Sequence, residues 1–210
     1  MYQIKIQRKN IKNIILKIDS NGDISISAPR KISKQILDDF ILSKKDWIQE
    51  RVDRVKLRKD IFPEKNYDFF YFLGNKLPFS YLLNFFNLNL EESDFSQEKK
   101  KSLIKTFLEI KSRELIPPLV DKYLSETGFR CQHASFKFMK TRWGSCNSSK
   151  KYLNFNCILS GSPLEANEYV VAHEIAHLKH GNHGKEFYFQ LSKILPNHEE
   201  KRKKLIFFEL

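Results

Sequence analysis

The sequence predicts an α+β protein, and three observations carry that prediction. Near the N-terminus apolar and polar residues alternate on both sides of an Asn-Gly pair, the pattern of a β-hairpin. Further along, apolar residues recur at helical spacing. In the last eighty residues, short strand-like runs share the chain with capped helical ones. With 210 residues, 41% apolar and 13% aromatic, including 18 phenylalanines, the chain can build a real core, and a disordered tail is excluded.

In the first sixty residues, Tyr2, Ile4 and Ile6 alternate with polar residues, and so do Ile14, Leu16 and Ile18. After the Asn21-Gly22 turn the alternation resumes at Ile24, Ile26 and Ala28. Ser33 is a fitting N-cap for one helix over 34–58, with Ile36, Leu37, Phe40, Ile41, Trp47, Ile48, Val52 and Val55 near helical spacing and a base-rich end at 51–59. The aromatic run 67–90, broken at Gly74-Asn75, reads as a second hairpin of buried strands. Residues 91–97 read as a polar linker, so the expected domains are 1–97 and 98–210, or one continuous compact domain. A helix is expected over 98–115, broken at Pro117-Pro118 because proline lacks the N–H and clashes with the preceding turn. A second short helix then reaches Thr127 and stops at Gly128.

Beyond that point, strands are expected over 136–139 and 152–159, with a loop at 141–151. Ser162, Pro163 and Glu165 form a capping-box signature for a helix running through His180 to Gly181. Helices over 185–194 and, after Pro196, around 201–204 close the chain.

The chemistry concentrates at His173-Glu174-Ile175-Ala176-His177. Histidines four apart on a helix differ by about 40° around its axis, so both imidazoles can meet one ion. Neutral imidazole is a natural zinc ligand. Glu174 can face the open side of such an ion without binding it, where a general base takes a proton from water. The motif H-E-x-x-H is the signature of zinc peptidases. A catalytic zinc needs a third protein ligand. His183, six residues beyond His177 with Gly181 between them, is the favoured choice. His180, read as a helix-end histidine, and the carboxylates Glu186, Glu199 and Glu200 compete with it. The metzincin pattern places its third histidine at the same offset as His183, but His180 occupies its glycine position.

Taken with Arg142-Trp143-Gly144-Ser145-Cys146, a following strand, Asn182-His183 and Phe187, the motif resembles the YgjP-like metallopeptidases, which are related to the SprT and WLM groups and also called minigluzincins. Ala28-Pro29, Trp47-Ile48 and Leu73-Gly74 follow the same layout, so the resemblance covers most of the chain. One departure is Phe187-Tyr188 where the family has Phe-Trp. The resemblance implies a zincin-like domain, with an antiparallel or mixed sheet beside an active-site helix, preceded by a small hairpin and helix region. It also implies one zinc per chain on His173, His177 and His183, with Glu174 as general base. In zincins an edge strand accepts an extended substrate by main-chain pairing, and the strand 152–159 is the candidate edge here. Arg142, Trp143 and Gly144 are then candidate substrate-binding residues, although Trp143 reads more readily as core and Cys146 as a plain buried thiol.

The leading functional reading is a zinc-dependent hydrolase acting on a peptide or protein. A metal-dependent hydrolase of a phosphate-containing substrate such as a nucleotide, or a protease working near nucleic acid, is the alternative. The 37 basic and 25 acidic residues give a net charge of +12, which invites weak nucleic-acid association through basic patches. Residues 1–66 carry 16 basic against 9 acidic groups and residues 131–210 carry 12 against 7, so much of the excess lies away in sequence from the zinc motif. Cys131, Cys146 and Cys157 form no C-x-x-C pair and suit a reducing compartment. There is no signal-peptide block at Met1-Lys5 and no apolar run of 18 residues, so a cytoplasmic protein with no membrane partner is expected.

Overall fold

In a computed structural model, which describes residues 3–19, 22–56, 59–60, 67–205 and 208–209, the expected α+β composition is observed. The chain divides into two compact units, Met1–Arg58 and Lys59–Leu210. Among the described residues, no helix is long and apolar enough to cross a membrane.

The first unit is a three-stranded sheet with two helices. Strands β1 (Ile4–Lys9), β2 (Ile15–Ile18) and β3 (Ile24–Pro29) are ordered β1-β3-β2, β3 running antiparallel to β2 and parallel to β1. The period-two pattern of β3 buries Ile24, Ile26 and Ala28 on one face. The hairpin is therefore present, although Asn21 of its turn lies outside the described residues. Ser33 caps as expected, its Oγ accepting from the Ile36 N–H at 3.2 Å. The single helix expected over 34–58 is instead two, α1 (Lys34–Ser43) and α2 (Lys45–Lys56). The Ser43 hydroxyl turns back to the Phe40 carbonyl at 2.7 Å and Lys44 leaves helical geometry, which ends the first helix. Leu57 and Arg58, within the expected basic end, lie outside the described residues.

In the second unit, β4 (Lys59–Asp60) is followed by a hairpin of β5 (Phe69–Phe72) and β6 (Asn75–Pro78). Its turn residues are Leu73 and Gly74, both at positive φ (48° and 80°), the two-residue turn that matches strand twist. The rest of the aromatic run is not a strand. Strand β6 stops at Pro78, which has no N–H to carry the ladder on, and a short helix, α3 (Ser80–Phe85), buries Leu82 and Leu83 instead.

Helix α4 (Gln97–Thr127) is one element of 31 residues. The break expected at Pro117-Pro118 does not occur. The two prolines withdraw hydrogen bonds from the carbonyls of Arg113 and Glu114, both exposed residues that water can serve, while Ile116 and Val120 carry the buried stripe onward. Gly128, at φ 66°, closes the helix as expected. The first half of α4 packs Ile104, Phe107 and Leu108 against the hairpin, and its second half packs Ile116, Val120 and Tyr123 against the remainder of the unit. The second hairpin thus shares a core with α4, which is why the division falls at 58/59 and not at 97/98.

The remaining sheet is mixed. Strands β7 (His133–Lys137), β8 (Gly144–Asn147) and β9 (Tyr152–Asn156) are ordered β7-β9-β8, with β9 parallel to β7 and antiparallel to β8. Leu153 and Phe155 of β9 are fully buried under α5 (Leu164–Ala176). Helices α6 (Lys185–Ile194) and α7 (His198–Leu205) follow, and β10 (Phe208–Glu209) pairs in parallel with β4.

Candidate metal centre

Helix α5 owes its position to what buries it. Val171, Ala172, Ile175 and Ala176 pack into the core, which leaves His173 and His177 half-buried on the opposite stripe. The expected capping box does not form. Ser162 is buried, and its hydroxyl donates to the Leu159 carbonyl at 2.8 Å. The Asn167 side-chain amide instead donates to the carbonyls of Ser162 (3.1 Å) and Pro163 (2.8 Å). The helix also ends earlier than expected, at Ala176, with tighter turns carrying the chain through His180. That early exit lets residues 181–184 return toward the helix.

Three imidazoles meet as a result. His183 Nε2 lies 3.1 Å from His177 Nε2 and 3.1 Å from His173 Nε2. Two nitrogens bound to one zinc at about 2.0–2.1 Å in tetrahedral geometry stand roughly 3.3–3.4 Å apart, so this spacing fits a shared ion. Tautomers support the fit. His177 Nδ1 faces the His180 carbonyl at 2.9 Å and must donate there, so the neutral ring turns a bare Nε2 lone pair inward. His173 Nδ1 faces the Tyr169 hydroxyl at 3.4 Å. Burial, reinforced by His177 and His183, pushes the His173 imidazole down to about 3, and burial also lowers that of His177, which favours the neutral form that a metal requires. Phe187, fully buried, lies beneath all three rings with centroids at 4.9, 4.5 and 4.7 Å from His173, His177 and His183. Among the described residues this trio is the one group of histidine, cysteine or acid side chains placed to hold a metal. His180 supplies its carbonyl and not its ring, and Cys146, Glu186, Glu199 and Glu200 are not in the group.

Glu174 lies beside the trio at 6% exposure. Burial pushes its carboxyl up to about 8, against the pull of the Arg142 guanidinium. It fits because residue 144 has no side chain: a Cβ there would stand 2.7 Å from Glu174 Cγ and 2.8 Å from its Oε1.

The opposite wall is β8. The strand expected to be the edge, 152–159, is the central β9 and becomes a 3₁₀ turn after Asn156, so both of its edges are occupied. The edge strand that borders the site is β8, a strand within the expected loop 141–151. The Asn156 N–H donates to the Trp143 carbonyl at 2.8 Å, and the alternation of an antiparallel ladder then leaves the N–H and C=O of Gly144 and Cys146 on the open side. Gly144, Cys146 and Arg142 line a cleft of about 360 Å³ together with Glu174 and the three histidines. Trp143 instead packs against both cores of the unit.

Sequence reasoning assigned no role in the site to three residues here. Tyr169 sits four before His173 on the same helix face, a spacing that can signal a ring partner. Phe187, four after His183, forms the floor. Asn156 is fully buried, and its amide donates to the carbonyls of Met139 (2.8 Å) and Arg142 (3.0 Å), fixing the chain that leads into β8.

An α+β domain that gathers three imidazoles and a buried acid in a cleft beside a sheet edge has the make-up of a metallohydrolase. More specifically, the chain belongs to the YgjP-like family, a metallopeptidase domain whose pattern matches residues 12–206. Among solved structures it is similar to the metallopeptidase zymogen abylysin of Pyrococcus abyssi, with 17% identity and a TM-score of 0.40 over 43% of this chain and 90% of that one. It is also similar to the metallopeptidase zymogen jannalysin of Methanocaldococcus jannaschii, with 26% identity and a TM-score of 0.39 over 43% of this chain and 93% of that one. No protein with a curated description matches the chain.

Proposed function

We propose that this protein is a zinc-dependent peptidase in which His173, His177 and His183 hold one zinc and Glu174 is the general base. The observation that carries the reading is the convergence of the His173 and His177 Nε2 atoms on that of His183, each at 3.1 Å, beside the buried Glu174 carboxyl group. When bound, zinc supplies Lewis acidity, which polarises a carbonyl and makes water nucleophilic near neutral pH. Gly144 and Cys146 offer N–H and C=O groups to an extended peptide, which would lie along β8 as an added strand. Glu174 takes the proton of the attacking water and returns it to the leaving amine. Phe187 and the Tyr169 and His180 contacts hold the imidazoles in one orientation throughout.

Purified protein loaded with zinc should cleave unstructured polypeptide, lose that activity to a chelator and regain it with zinc. Glu174→Gln should retain about one zinc per chain while turnover falls by roughly 10²–10⁴-fold, the range for loss of a general base. Zinc-loaded protein that cleaves a phosphoester and no peptide would replace this reading with the phosphate-hydrolase alternative.

A further inference from the structure

The wall of the cleft carries an unusual charge distribution. From residue 127 to residue 164 there is no aspartate or glutamate, while Arg130, Lys137, Lys140, Arg142, Lys150 and Lys151 are all basic. This stretch contains the whole β7-β9-β8 sheet and its loops. Four cations elsewhere in the same unit are ion-paired, Lys100 with Asp68, Lys111 with Glu114, Arg113 with Glu109 and Lys201 with Glu168. Arg142 differs. Its guanidinium lines the cleft and has no ion-pair partner among the described residues. Its backbone is nonetheless fixed, because the buried Asn156 amide holds its carbonyl. The side chain thus starts from a fixed backbone position at the entry to β8. At the other end of that strand, the Lys151 ammonium donates to the Leu178 carbonyl at 2.8 Å, so a second cation is anchored behind the wall.

We propose that the cleft selects peptide substrates bearing a carboxylate, which Arg142 receives. This rests on the peptidase reading above and names the class of substrate it acts on. A planar guanidinium binds a carboxylate through paired, charge-assisted hydrogen bonds. Glu174, which feels the Arg142 guanidinium, is the one acidic residue in the cleft lining, and the strand side adds no other. The open main-chain edge of Gly144 and Cys146 favours an extended peptide over a nucleic acid, since strand addition requires a partner with its own alternating N–H and C=O groups. The carboxylate can belong to an acidic side chain or to the peptide C-terminus.

The experiment compares zinc-loaded wild-type protein with Arg142→Gln and Arg142→Glu on matched peptides. One series carries Glu, Gln or Lys near the cleavage site, and each peptide is made with a free and an amidated C-terminus. Wild type should favour Glu over Gln peptides, or free over amidated ends, in kcat/KM, and which pair responds identifies the source of the carboxylate. Hydrogen bonds to charged groups contribute about 1.5–3 kcal/mol, so Arg142→Gln should reduce the preference roughly tenfold or more. Arg142→Glu should turn it toward Lys peptides. Equal cleavage of all peptides by wild type, or an unchanged preference in both variants, overturns the proposal while leaving the peptidase reading intact. Failure to cleave any peptide removes both. If wild type binds duplex DNA in low salt, Arg142→Glu abolishes that binding and peptide preference does not move, the Arg142 ligand is phosphate and the proposal falls.

Discussion

The two walls of the cleft are made by opposite means. The helix wall, α5 and the segment that returns after it, is apolar on one side and carries its chemistry as side chains: His173 and Glu174 on the helix, His177 at its end, and His183 beyond it, whose Nε2 lies 3.1 Å from that of each other histidine. The strand wall, β8, is Gly-Ser-Cys-Asn, and its chemistry lies in the main chain and in an absent side chain. One wall is specified by what residues bring and the other by what they leave out. The helix wall should therefore fail when a group is deleted and the strand wall when a group is added.

The largest expected effect is on the helix wall. His183→Ala removes an inward-facing Nε2, and we expect bound zinc, measured by metal analysis, to drop from about one per chain to none with loss of turnover. His180→Ala keeps the carbonyl that holds His177 and should keep the metal. Stripping of zinc by His180→Ala and not by His183→Ala would reverse the ligand assignment. On the strand wall, Gly144→Ala should do harm by addition. Its new methyl group would press on Glu174, and overpacking of this kind costs about 1–3 kcal/mol. We expect kcat to fall roughly 10- to 100-fold with zinc content unchanged, and unaltered kinetics would mean that the strand does not set the Glu174 position. The smallest effect is expected for Tyr169→Phe, which removes a hydroxyl at 3.4 Å from His173. Partners of ligating histidines typically affect metal affinity about 10–100-fold, and a contact this long belongs at the lower end. Competition with a chromogenic chelator would measure it, and an affinity equal to wild type would deprive Tyr169 of its positioning role.

The same contrast explains what could be read from residues alone. The H-E-x-x-H motif, the His183 offset and the helix over 185–194 were legible because helical spacing and side-chain chemistry are written in residue types. Strand β8 was not, because Gly-Ser-Cys-Asn has no apolar alternation and its role is set by the neighbour it lacks. The edge was accordingly expected on 152–159, where the apolar alternation that looks like a strand in fact marks a central one. The prolines of α4 misled for a related reason. Their local cost was clear, but whether water could serve the freed carbonyls depends on which side of the helix faces out. Ser162 and Glu165 had the right spacing for a capping box, yet the buried Ser162 found its partner in the preceding turn at Leu159. In each case a local rule was overruled by which side of an element is buried, exposed or unpaired, which spacing does not reveal.

The second hairpin bears on the site through one small junction. The Leu73 and Gly74 N–H groups donate to the Ser160 and Gly161 carbonyls, each at 2.9 Å, and Gly74 lies against Pro163, where an added Cβ would stand 2.8 Å from the proline ring. Pro163 opens the helix that carries His173, Glu174 and His177. The aromatic core around Phe70 and Phe107 is thereby tied in folding energetics to the histidine trio. A fluctuation that frees the hairpin also frees the first turn of the active-site helix, and amide exchange at Leu73 and Gly74 would report on the integrity of a site to which neither residue contributes a side chain.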